Sequence, residues 1–218
     1  MQDAWGALEW VSGQPAGVWP NSAAADRLWQ VRNSAATLNV NPSSLSIGGI
    51  SAGAHICLVL QHMARDAGIP LKLCLASVAP ATDALSYTHY TDSPFASFHE
   101  FHRGPVLPWE RIKYFGRLCM PPERLRDLRA AWPDWWFAPL RAPDWHGLCD
   151  TFVRTGELDP LRDEGEAYAA RLVAGGNKVT VKRYLGCPHT FMYVDSMKPK
   201  QEYDRDAVAA LKAAHGLA

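Results

Sequence analysis

The sequence predicts an α/β fold, with a mostly parallel sheet flanked by helices and an inserted helical cap. Three observations predict it. Short apolar runs alternate with amphipathic stretches in two blocks; one run, Leu71 to Val78, is almost continuously apolar; and one strand signal ends in glycines just before a helix signal. Alternation of this kind is the mark of parallel strands joined by helical crossovers. A continuous apolar strand is what a sheet covered on both faces requires. With 218 residues, 48% of them apolar, the chain is long enough for one sizeable core, so residues 1–218 read as a single domain.

Taken in order, 4–11 and 23–37 read as helices, the second with Leu28, Val31 and Ala35 at spacings of three and four. Residues 45–50 read as a short buried strand. Residues 52–66 follow as a helix whose Ile56, Val59, Leu60 and Met63 make one stripe, closed by Gly68 and Pro70. After the strand at 71–78 the periodicity is lost. From about 80 to 148 the chain is rich in Pro, Trp, His and Tyr, with helical pieces at 109–118 and 122–131. This span reads as the cap. Trp132, Trp135, Trp136 and Trp145 fall within it, covering either core or ligand. Alternation then returns: strand at 151–155, helix at 161–174 stopped by Gly175-Gly176, strand at 178–184, and helix at 202–215.

Charge and cysteine usage narrow the partners. Lysine plus arginine equals aspartate plus glutamate at 22 each, so no net field gathers nucleic acid or an anionic membrane. A small uncharged molecule is the expected partner. Five scattered cysteines without a C-x-x-C pair suggest neither a disulfide framework nor zinc. The start of the chain has no basic, then apolar, leader, and no run approaches the length of a membrane span. A cytoplasmic, soluble protein is expected.

The sharpest chemical signal is Gly49-Ile50-Ser51-Ala52-Gly53, the G-x-S-x-G pattern of a nucleophile elbow. A serine on a strained turn between strand and helix projects its hydroxyl above the sheet, and flanking glycines leave room for close backbone approaches. The bland reading is a glycine-rich turn with an incidental serine. The position between a buried strand and an amphipathic helix favours the elbow. A serine hydroxyl needs a base to take its proton and an acid to hold that base. The chain order for such an elbow is serine, acid, histidine, each after a strand. Asp159 and His189 stand in that order, with Glu157 and Asp163 as rivals for the acid. Asp159-Pro160 also reads as a helix start, aspartate as N-cap and proline at the first helical position. His55 and His62 lie in the helix after Ser51, and His99-Glu100-Phe101-His102 lacks the spacing and third ligand of a metal site. No metal or cofactor is expected.

At these residues the sequence resembles the hormone-sensitive-lipase-like branch of the α/β hydrolases, especially its fungal members. The matching stretches are Asp3-Ala4-Trp5 with Trp10-Val11, Gly48 to Gly53, Asp159-Pro160-Leu161-Arg162-Asp163-Glu164, and Pro188-His189-Thr190-Phe191. The resemblance implies Ser51 as nucleophile, Asp159 as acid, His189 as base and cofactor-free hydrolysis of carboxylic esters. It also implies an oxyanion hole built from the N–H after the nucleophile, here Ala52, and from a His-Gly-Gly-Gly type loop well upstream. Only 50 residues precede Ser51 and no His-Gly-Gly occurs, so the opening strands and that loop are expected to be lacking. Loss of one such donor costs about 3 to 4 kcal/mol of transition-state stabilisation. The sheet edge thereby exposed leaves self-association open. The expected function is a serine-dependent hydrolase of small apolar or aromatic esters. The alternatives are a weak or inactive binding protein on the same scaffold, or a hydrolase that tailors secondary metabolites.

Overall fold

The strand signals condense into one parallel sheet. A computed structural model describes residues 1–12, 39 and 41–217. Its strands are β1 (Leu45–Ile50), β2 (Leu71–Ser77), β3 (Asp150–Gly156) and β4 (Val179–Tyr184), hydrogen-bonded in the order β1-β2-β3-β4 with every pair parallel. The helices are α1 (Gln2–Ser12), α2 (Ala52–Asp66), α3 (Ala96–Glu100), α4 (Trp109–Cys119), α5 (Pro122–Ala131), α6 (Arg162–Ala174) and α7 (Lys198–His215). The α/β class expected from alternation is the one observed. The helix expected at 23–37 lies outside the described residues.

Alternation along β2 explains why its apolar run is almost continuous. Cys74 and Ala76 point to one face, where they pack with Leu58 of α2 and Tyr168 and Leu172 of α6. Leu73 and Leu75 point to the other, joining Phe152 of β3 beneath Ala210 and Ala214 of α7. Both faces are thus covered by helices. Each fully buried leucine, such as Leu58 or Leu172, contributes about 1.5 to 3 kcal/mol relative to an exposed one. Trp5 and Leu8 of α1 close the outer side of α2 against Leu60, Ala64 and Ile69.

Several boundaries shift from the periodicity reading, most by one or two residues, and two of the differences have a clear cause or consequence. α7 begins at Lys198, a full turn before residue 202, because Pro199 sits in the first turn, where its missing N–H costs nothing. α6 begins at Arg162 with Leu161 as its N-cap, so Asp159 and Pro160 stand outside the helix. Between β2 and β3 the chain carries α4 and α5 at the two expected helical pieces, and α3, which the periodicity did not mark. The tryptophan-rich stretch divides between two tasks. Trp145 is buried in the core against Tyr168, with ring centroids 4.9 Å apart, and Trp135 packs on His62. Trp136 instead lies beside α2's first turn, where its carbonyl meets His55. No helix among the described residues is long and apolar enough to cross a membrane.

Candidate active site

Ser51 is the single residue between the end of β1 and the start of α2. Its backbone is held from both sides. Its N–H donates to Ser77 O at 2.9 Å, extending the β1–β2 ladder, and its carbonyl accepts the His55 N–H at 3.0 Å, the first bond of the helix. To serve both, it adopts φ 54° and ψ −120°, a left-handed conformation costly for a residue with a side chain. The sharp turn brings Gly49 against the helix: a Cβ there would lie 2.2 Å from the carbonyl carbon of Gly53. Only glycine fits at Gly49. The expectation that both motif glycines serve close approach is corrected at Gly53, where a Cβ would meet nothing within 4 Å among the described residues.

The loops after β3 and β4 bring the other two residues to the hydroxyl. Asp159 accepts the His189 Nδ1–H on Oδ2 at 2.8 Å, and His189 Nε2 accepts the Ser51 hydroxyl at 2.9 Å. The carboxylate can only accept, so this bonding places the imidazole proton on Nδ1 and leaves Nε2 free to take a proton. Asp159 is fully buried and His189 4% exposed, so the pair is shielded from water. Three residues distant in sequence thus form one continuous hydrogen-bonded line.

Close contact between the two loops holds that line together. The Leu158 N–H donates to Cys187 O at 2.9 Å and the Glu157 N–H to Tyr184 O at 3.0 Å. A Cβ on Gly156 would sit 2.6 Å from Cys187 O, so the loop bearing His189 can lie on the end of β3 only because residue 156 is glycine. Asp159 is not the N-cap its sequence context suggests. Its Oδ1 accepts the Leu161 N–H at 2.9 Å, a turn closed two residues on, which leaves Oδ2 for the histidine. Its rivals are engaged elsewhere: Glu157 accepts the Gly186 N–H, and Asp163 accepts the Ser97 N–H and the Arg162 Nε–H.

Ala52 is the exposed first residue of α2, and its N–H, like any in a first helical turn, has no acceptor within the helix. It lies at the positive end of a 15-residue helix dipole, directly after Ser51. An oxyanion formed at Ser51 would meet that N–H.

Other histidines are bonded to groups outside this line, and a buried carboxyl lies beside Asp159. His55 sits between Pro80 O at 3.0 Å and Trp136 O at 2.7 Å, and burial holds its imidazole below the usual pKa. His62 lies in the core between Asp144 O and the Tyr168 hydroxyl; burial, aided by Arg65, pushes it down to about 4. His99 and His102 bond to the carbonyls of Ser93 and His99, and His215 bridges the Ser44 and Ser46 hydroxyls. Glu164, fully buried beside Asp159, accepts both the N–H and the hydroxyl of Thr82. Burial pushes its carboxyl up to about 8, against the pull of those bonds. Thr82, Ser97 and Gly156 lie outside every motif, and only Gly156, a glycine closing a strand, carries a sequence cue; Glu164 lies within the 159–164 stretch, where nothing in the pattern marks its burial.

A model of the alpha/beta hydrolase fold family matches residues 1–193. An AB hydrolase superfamily protein of Schizosaccharomyces pombe is 31% identical over 206 residues, covering 89% of this chain and 57% of the relative. A carboxylesterase of Mycobacterium tuberculosis is 30% identical over 215 residues, covering 98% of this chain and 58% of that protein. Among solved structures, a thermostable esterase from Pseudomonas putida superposes with a TM-score of 0.76 at 26% identity, covering 100% of this chain and 59% of its own. The chain therefore spans somewhat less than three fifths of the length of these relatives.

Proposed function

The chain belongs to the α/β-hydrolase fold family, and on that premise we propose that it is a serine-dependent carboxylic ester hydrolase working through an acyl-enzyme. The observation that carries the reading is the unbroken line from Ser51 through His189 to Asp159. Relatives that include carboxylesterases and esterases support it.

In this reading, the Ser51 oxygen attacks the ester carbonyl as its proton passes to His189 Nε2. Asp159, already bonded to Nδ1–H, holds the ring and stabilises the imidazolium that forms. The tetrahedral oxyanion is held in part by the Ala52 N–H. Collapse expels the alcohol, which takes the proton from Nε2 and leaves the acyl group on Ser51. Water then repeats the sequence, giving its proton to Nε2, releasing the acid and restoring the serine. No step requires a metal or cofactor. The substrates proposed are small apolar or aromatic esters, matching the aromatic character of the span at about 80–148, which we take as a cap on a single domain of residues 1–218. A cytoplasmic location belongs to the same reading and is supported by five unpaired cysteines.

The test is labelling with a fluorophosphonate alongside turnover of short p-nitrophenyl esters. Wild-type protein acquires one adduct and turns over ester, whereas Ser51→Ala does neither. An adduct on Ser51→Ala, or none on the wild type, overturns the reading.

A further inference from the structure

Within the seven residues 157–163 the chain offers three acids, Glu157, Asp159 and Asp163, and of these Asp159 reaches the histidine. Something outside this segment selects the one that turns inward. The turn from Asp159 to Asp163 is gripped by Ser97 of α3, a fully buried residue far away in sequence. The Ser97 hydroxyl donates to Pro160 O at 2.7 Å and accepts the Asp163 N–H at 3.2 Å, while its own N–H donates to Asp163 Oδ2 at 2.8 Å. Those bonds hold the Asp163 carboxylate outward and fix the carbonyl immediately after Asp159.

The other flank of Asp159 is tied to the same helix. Arg162 donates from Nη1 to Glu157 O at 2.9 Å, reaches Glu100 Oε2 of α3 from Nη2 at 3.3 Å, and stacks 5.3 Å over the Phe101 ring. α3 is itself seated, because Phe98, 1% exposed, packs with Trp109 and Leu161. Pro160 on one side of the acid and Glu157 on the other are therefore anchored to one short helix of the β2–β3 connection.

We propose that Ser97 is a positioning residue for the catalytic acid: by clamping Pro160 and Asp163 it holds the turn in which Asp159 faces His189. The inference rests on the hydrolase reading for its consequence in turnover, though not for its geometry. The β2–β3 connection then does more than cover the site. It supplies the support that aims the acid. Without Ser97 the Pro160 carbonyl and the Asp163 N–H lose a buried partner, and the turn is free to rotate Asp159 away from Nδ1.

The experiment compares Ser97→Ala, Ser97→Cys and Asp163→Asn with the wild type, using kcat per phosphonate-titrated site, KM, and the downfield proton resonance of the His189–Asp159 hydrogen bond, assigned by its loss in Asp159→Asn. Ser97→Ala is expected to lower kcat about ten- to a hundred-fold with KM within about two-fold, as a misaimed catalytic group does. The downfield resonance should shift or broaden. Ser97→Cys, which keeps the volume but weakens the hydrogen bonds, should fall between wild type and alanine. If Ser97→Ala fails to fold, Ser97→Cys and Asp163→Asn carry the same test. Wild-type kcat per titrated site together with an unchanged resonance in the folded variants overturns the proposal. Should Ser51→Ala retain turnover, the hydrolase reading fails, while the resonance still decides whether Ser97 positions Asp159.

Discussion

Glu164 offers a direct test of how the site's buried electrostatics affect stability. The carboxyl is fully buried, its Oε2 accepts from Thr82, and its Oε1 has no hydrogen-bond partner among the described residues. Burial raises its pKa from 4.5 to about 8, so the folded protein keeps a proton there that the unfolded chain releases. Between those values the folded state binds more protons than the unfolded, and stability therefore falls as pH rises. The loss begins near the unfolded value and is complete above the folded one. At 1.36 kcal/mol per pH unit, the full cost approaches about 5 kcal/mol. Glu164→Gln is close to a permanently neutral isostere and carries no such cost. Urea unfolding of both proteins at about pH 5 and about pH 9 should show the variant gaining about 4 kcal/mol relative to wild type between the two conditions. Because only the difference between the proteins is read, other titrating groups cancel. A difference that stays constant with pH, or that moves in favour of glutamate, would mean that Glu164 is already ionised in the fold and refute the reasoning.

The two elbow glycines should separate cleanly. Gly49→Ala drives a Cβ to 2.2 Å from backbone carbon and should cost at least about 3 kcal/mol in denaturant unfolding, whereas Gly53→Ala should stay within about 1 kcal/mol of wild type or exceed it, since alanine favours helix. Gly156→Ala meets Cys187 O at 2.6 Å and pushes on the loop bearing His189, so kcat should fall about a hundred-fold, measured per phosphonate-titrated site. His62, pushed down from 6.5 to about 4, works opposite to Glu164: the unfolded chain takes up its proton first, and stability falls as pH drops through that window by up to about 3 kcal/mol. Urea unfolding of His62→Gln should lack that part of the acid slope; an unchanged slope would assign it to other groups.

The parts of this molecule that were legible in sequence are those specified by neighbouring residues. β1 and α2 follow from an apolar run, a glycine pair and a stripe at helical spacing, and their observed bounds, Leu45–Ile50 and Ala52–Asp66, coincide with the expectation. Ser51 and His189 were recognisable because each stands at a strand end in a short motif. The burial of His62 was not legible, because helical periodicity cannot reveal that Trp135, Trp145 and Tyr168 will surround a polar ring. Nor were the partners of Glu164 and Ser97, which lie 82 and 66 residues away.

Asp159 shows where local reading stops and tertiary structure takes over. By local chemistry, Asp-Pro starts a helix, and the aspartate would spend its carboxylate on the cap. In the fold Leu161 takes the cap position, and one carboxylate oxygen closes a tight turn while the other turns to His189. What favours the later start is the set of contacts made from α3: Ser97 on Pro160 and Asp163, and Glu100 and Phe101 on Arg162. A motif can therefore name the candidate acids, but the choice among them depends on contacts between segments that no local pattern joins. It follows that substitutions at Ser97, outside every recognisable motif, should disturb the Asp159–His189 pair more than substitutions at Glu157, which stands two residues from Asp159 but turns its side chain to the Gly186 N–H.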